Sequence, residues 1–165
     1  MLTFSSWWFT HTVVIDGNFK MEHMHEQKSE DQVWLVDRLV YMVTNPLYMD
    51  YLKATPHIAE KSTCNNHRAI SPANTVCRKL HVTGIGATAC AWHRCFCLHC
   101  VVDFQKGERQ LNMANALGYN MEGIKQVVCF YNINCSYMTN LQKHVHQSEL
   151  IGIPSSLQII PGIGM

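Results

Sequence analysis

The chain has 165 residues, enough for one domain with a sizeable core. Apolar residues make up 47% and charged residues 15%, which excludes a disordered or strongly solvated chain. The formal net charge is +1, so no global basic field points to nucleic acid, and no apolar run reaches the roughly 18 residues that would suggest a membrane-spanning helix.

The first ten residues are apolar but lack a basic leader and a small-residue cleavage site, so no signal peptide is expected. On that expectation the eight cysteines lie in a reducing compartment, where metal ligation or free thiols outrank disulfides. Residues 12–15 are a β-branched run that reads as a strand, and Asp16-Gly17-Asn18 reads as the turn ending it. Residues 20–32 are polar, a loop or exposed helix. Residues 33–43 are apolar on most sides, a buried helix or strand ended by Asn45-Pro46. A short helix is expected over 48–53, stopping before Pro56. Residues 62–80 hold few strand signals.

The pattern then changes. Residues 84–92 are a small-residue strand candidate and 100–104 a second. Residues 105–117 repeat at helical spacing, with Gly118 as C-cap. Residues 124–131 form the strongest buried strand of the chain. Residues 137–146 read as a helix carrying Lys143, His144 and His146, and 157–160 as a last strand closed by Pro161-Gly162. The order strand, insert, strand, strand, helix, strand, helix, strand predicts an α/β sheet with helices returning to it.

Two Cys-x-x-His pairs stand out, Cys64/His67 and Cys90/His93, with 22 residues between them. Each pair offers zinc two ligands from one tight turn, and two pairs complete a tetrahedral site. The spacing fits no C2H2 finger; the competing reading is buried thiols and surface histidines. Cys97 and Cys100 form a CxxC pair, but Val101 and Val102 after it read as strand rather than as the helix a redox motif favours. Gly84-x-Gly86 sits inside a strand pattern, so a dinucleotide loop is not expected; the glycines are assigned to close approach or a turn.

Several strings together resemble one family: DGNF at 16–19, STCNNHRA at 62–69, TGIGATACAWH at 83–93, VVDFQKGERQ at 101–110 and FYNINCSY at 130–137. In this order they are similar to the Kyakuja-Dileera-Zisupton (KDZ) DNA transposases, abundant in fungal genomes, from about residue 8 onward. The resemblance implies a ribonuclease H-like core with an inserted Cys/His-rich, zinc-binding segment, residues 20–83 separating the first and second core strands. It implies metal-dependent DNA cleavage and strand transfer by three acidic residues with Mg²⁺ or Mn²⁺, DNA as partner and a nuclear location. Asp16 matches the first catalytic carboxylate. Cys64, His67, Cys90 and His93 match the family's structural zinc positions. Lys106, Arg109 and Lys143 are candidate phosphate contacts against a background of ordinary solvated charge.

The departures from the family matter as much. Its second carboxylate stands where this chain has Asn132, which offers an amide oxygen but no negative charge. Its third acid lies on a helix after a large insertion, and the chain reaches Met165 before such a helix, which reads as a partial core. After Asn112-Met113 the family continues Asp-Tyr with more helix, so about a turn is missing where Ala114 follows directly. Trp92 and Arg94 flank His93 where the family has a basic residue and Gly, and Arg94 is expected to strain a turn made for Gly. The expectation is an inactive transposase core; the alternative is a non-catalytic, zinc-stabilised DNA-binding or interaction module.

Overall fold

The structure, a computed structural model, describes residues 10–24, 40–43, 45–54, 80–105, 110–118, 121–147 and 151–163. The elements run β1 (His11–Asn18), β2 (His23–Met24), α1 (Asn45–Ala54), β3 (Leu80–Val82), β4 (Gly84–Cys90), β5 (Phe96–Phe104), α2 (Gln110–Gly118), β6 (Gln126–Phe130), α3 (Asn134–Gln147) and β7 (Gln158–Gly162). Five strands form one sheet in the order β5-β4-β1-β6-β7. The β1–β4 and β4–β5 pairs are antiparallel, whereas β6 lies parallel to β1 and β7 parallel to β6. The mixed sheet with returning helices is the α/β architecture expected. Between β1 and β4 the chain also makes α1 and a separate two-stranded sheet of β2 and β3.

Alternation along β1 sets the layers. Val13 and Ile15 are buried, whereas Val14 and Asp16 point to the other face and are exposed. A one-residue slip would bury Asp16 and expose Ile15, so the register is strongly specified. Each fully buried Val or Ile contributes about 1.5–3 kcal/mol. The helices cover the Val13/Ile15 face: Tyr48 and Tyr51 of α1, Met113 and Leu117 of α2, and Tyr137 and Leu141 of α3 share one buried cluster with them and with Val127 and Cys129. Tyr48 also donates its hydroxyl to the Asp103 carbonyl at 2.8 Å, tying α1 to β5. Tyr131 and Tyr137 pack edge to face, ring centres 5.1 Å apart.

Several boundaries differ from those expected. Asp16-Gly17-Asn18 does not turn; it continues β1, opposite Ala87, Gly86 and Ile85. The small side chains of β4 let the two backbones pair through this stretch. At Gly86 a Cβ would lie 2.6 Å from Met113 Sδ and from the Phe104 ring, so the glycine serves helix–sheet closure. Pro161-Gly162 belongs to β7 instead of closing it. β7 is the last strand of the sheet, where a missing N–H need not break a ladder. Its end is fastened by Asn134, whose Nδ2 donates to the carbonyls of Cys129 (2.6 Å) and Gly162 (2.9 Å). The last helix starts at Asn134 rather than 137, and α1 starts at Asn45 with Pro46 in its first turn, a position proline tolerates.

Candidate functional site

Asp16 lies near the end of β1 on the face away from the helical layer. Its exposed carboxylate accepts the Gly17 N–H through Oδ1 at 2.8 Å. Across the parallel β1–β6 pair the last matched residues are Val14 and Phe130. Two residues further along each chain stand Asp16 and Asn132. Val14 and Asp16 of β1 and Val128 and Phe130 of β6 face away from the core, whereas Val127 and Cys129 point into it. Asn132 is exposed and sits in the turn between β6 and α3.

Asp103 shares this face, since it pairs with Ile85 and Ile85 pairs with Asn18. With β4 between them, Asp103 and Asp16 are two strand spacings apart, about 10 Å.

The second cluster is the turn joining β4 to β5. Cys90 Sγ lies 3.2 Å from His93 Nδ1. In tetrahedral zinc coordination, with Zn–S about 2.3 Å and Zn–N about 2.0–2.1 Å, the two ligand atoms sit about 3.6 Å apart. The pair therefore fits two corners of such a site with a shift of a few tenths of an ångström. The turn is held by Cys90 N–H donating to the Cys95 carbonyl (2.9 Å) and Arg94 N–H donating to the Cys90 carbonyl (3.0 Å). Arg94 adopts φ +55°, the left-handed conformation expected of a position made for glycine. Among the described residues no three His, Cys, Asp or Glu side chains converge as a ligand set. Cys64 and His67, expected to complete the site, lie outside the described residues, as do Lys106 and Arg109. Lys143 is described and exposed, on α3 in the layer opposite the Asp16 face.

Two features had no signal in the sequence. From Ala87 to Ala89 β4 advances two residues, while β5 runs from Val101 back to Phe96, so three extra residues bulge from β5. The bulge contains Cys97, Cys100 and His99, the last at φ +53°. A hydrogen bond from the Cys100 thiol draws the Cys97 pKa down to about 7 against the opposing effect of burial. The same bond, with burial and the Cys97 charge, raises Cys100. The other feature is His23 against His81 in the small sheet, ring centres 6.3 Å apart and edge to face. These residues are too distant in sequence for spacing to pair them.

No described helix is long and apolar enough to cross a membrane. No curated protein and no solved structure matches the chain. The family model described as Kyakuja-Dileera-Zisupton transposase matches residues 9–164, nearly the whole sequence, and spans all five strings that carry the resemblance. The chain belongs to the KDZ transposase family.

Proposed function

We propose that this chain is a ribonuclease H-like transposase core in which the metal-binding pair of β1 and β6 has lost one of its two charges. The observation that carries this reading is the parallel β1–β6 register, which matches Val14 with Phe130 two residues before Asp16 and Asn132. The strand order supports the ribonuclease H-like assignment: an antiparallel run of β1, β4 and β5 is extended on the other side of β1 by parallel β6 and β7.

In this reading Asp16 and residue 132 would hold a divalent ion, which would supply Lewis-acid stabilisation of charge at a scissile phosphate. Asp16 supplies one carboxylate, already oriented by the Gly17 N–H. Asn132 supplies a neutral oxygen, which leaves two cations held close together with too little negative charge. The chain is accordingly inactive in strand transfer, while its fold is retained. Zinc has a separate, structural part. Cys90 and His93 would supply two ligands of a structural zinc ion, and Cys64 and His67 the other two.

A second reading, a non-catalytic DNA-binding or interaction module stabilised by zinc, draws on the same amide at 132. Mn²⁺ binding separates the two. A disabled metal site regains affinity when Asn132→Asp restores the carboxylate; a surface that never held metal does not respond.

A further inference from the structure

Cys97 and Cys100 form the one Cys-x-x-Cys pair of the sequence, and neither the Asp16 site nor the zinc ligands use it. In a regular strand, residues three apart point to opposite faces, which would keep such thiols from meeting. The β5 bulge removes that obstacle. Phe96 and Val101 stay paired with β4, and residues 97–100 bulge out between them. His99, the third of the four, is left-handed at φ +53°. A positive φ at the third residue marks tight turns whose first and fourth Cα atoms lie within about 7 Å. A disulfide spans Cα atoms about 4.4–6.8 Å apart. The thiols do meet, the Cys100 S–H donating a hydrogen bond to the Cys97 sulfur.

The bulge is fastened from its other side. His99 N–H donates to the Val40 carbonyl (3.1 Å), Val101 N–H to the Tyr41 carbonyl (2.9 Å), and Val43 N–H to the Val101 carbonyl (2.9 Å). The His99 ring is turned to the same segment, its Nδ1 3.4 Å from the Met42 carbonyl oxygen. Access to the two sulfurs is unequal. Cys97 is half-buried and Cys100 is fully buried. A reagent in solvent therefore meets Cys97 first, with Cys100 held directly behind it.

We propose that Cys97 and Cys100 are a reversible dithiol–disulfide site, Cys97 the attacking thiol and Cys100 the resolving one, with low-molecular-weight disulfides as co-reactant. The Cys97 thiolate attacks one sulfur of the external disulfide, forms a mixed disulfide and expels one thiolate. The Cys100 sulfur then attacks Cys97 Sγ and closes the internal disulfide. The Cys100 proton leaves with the second external sulfur as a thiol. Two protein thiols are oxidised, and one external disulfide is reduced to two thiols.

The thiol chemistry favours this order. The hydrogen bond from Cys100 lowers Cys97 to about 7, close to the value at which an attacking thiol is most effective near neutral pH. Cys100 is held protonated first by its hydrogen bond to Cys97, then by burial and by the Cys97 charge. Capping Cys97 removes that charge and that hydrogen-bond acceptor, so the resolving thiol is released only after the first step. The site uses none of Asp16, Asn132, Cys90 and His93, and it stands or falls separately from the transposase reading.

The test treats the full chain, supplied with zinc, with glutathione disulfide near neutral pH. Remaining thiols are then alkylated and the peptides mapped by mass spectrometry. Wild type is expected to lose two hydrogens from the peptide holding Cys97 and Cys100, and to regain both thiols in excess reduced glutathione. Cys95→Ser, which removes the nearest competing thiol in sequence, should behave alike. Cys100→Ser should stop at one glutathione on Cys97, and Cys100→Ala carries the same arm if the buried hydroxyl prevents folding. Cys97→Ser should leave Cys100 reduced. A stable glutathione adduct on wild-type Cys97 beside a free Cys100 would overturn the proposal. So would a Cys95–Cys97 disulfide, or native wild type left fully reduced.

Discussion

Cys90 Sγ and His93 Nδ1 stand 3.2 Å apart across one turn, close to the spacing of two ligands on a single zinc ion. The pair is brought together by the β4–β5 turn itself, through the Cys90–Cys95 and Arg94–Cys90 backbone hydrogen bonds. About one zinc per purified chain is expected. Replacing Cys64 and Cys90 together by Ser should abolish it and lower the melting temperature, read by metal analysis and calorimetry. Zinc retained at wild-type level in the double variant would remove the four-ligand site.

Gly86 is predicted to tolerate no side chain. A Cβ there meets the Met113 sulfur and the Phe104 ring at 2.6 Å, and both side chains are fully buried. Gly86→Ala should cost about 1–3 kcal/mol, the usual range for overpacking. A denaturant midpoint equal to wild type would show that α2 can shift freely on the sheet.

Cys97 is predicted to be the most readily alkylated thiol of the β5 bulge. Its pKa near 7 means that the thiolate dominates above neutrality, whereas Cys100 stays protonated. Cys129 is pushed up to about 12 by burial and should be inert in the native state. Alkylation followed site by site with mass spectrometry should show Cys97 modification rising with a midpoint near pH 7. In Cys100→Ala, which removes the stabilising donor, that midpoint should move toward 9. An unchanged midpoint in the variant would contradict the assigned cause.

Much of the fold was legible from local composition and one helical period. The β-branched run of β1, the apolar run of β6 and the helical spacing of α2 survive as local patterns, and each of these elements formed near its expected place. What failed was governed by partners distant in sequence. Nothing local in Asp16-Gly17-Asn18 distinguishes a turn from a strand; their pairing with Ala87, Gly86 and Ile85 of β4 decides it. The β5 bulge depends on non-glycine His99 accepting a left-handed backbone, which no composition signal marks. β2 and β3 are too short to be read without each other. In the site, Asp16 and the Cys90/His93 pair were visible as motifs. That β6, the strand before Asn132, lies parallel beside β1 came only with the structure.

The most direct measurement is Mn²⁺ affinity, by titration calorimetry, for wild type, Asn132→Asp and Asn132→Asp combined with Asp16→Asn. Near 4 Å in a water-like medium two unit charges interact by about 1 kcal/mol, so one added carboxylate is worth about 2 kcal/mol to a divalent ion, roughly tenfold or more in affinity. The account predicts that gain in Asn132→Asp and its disappearance when Asp16 is also neutralised. Equal affinity for wild type and Asn132→Asp, or a gain that survives Asp16→Asn, would contradict a shared metal site at the ends of β1 and β6.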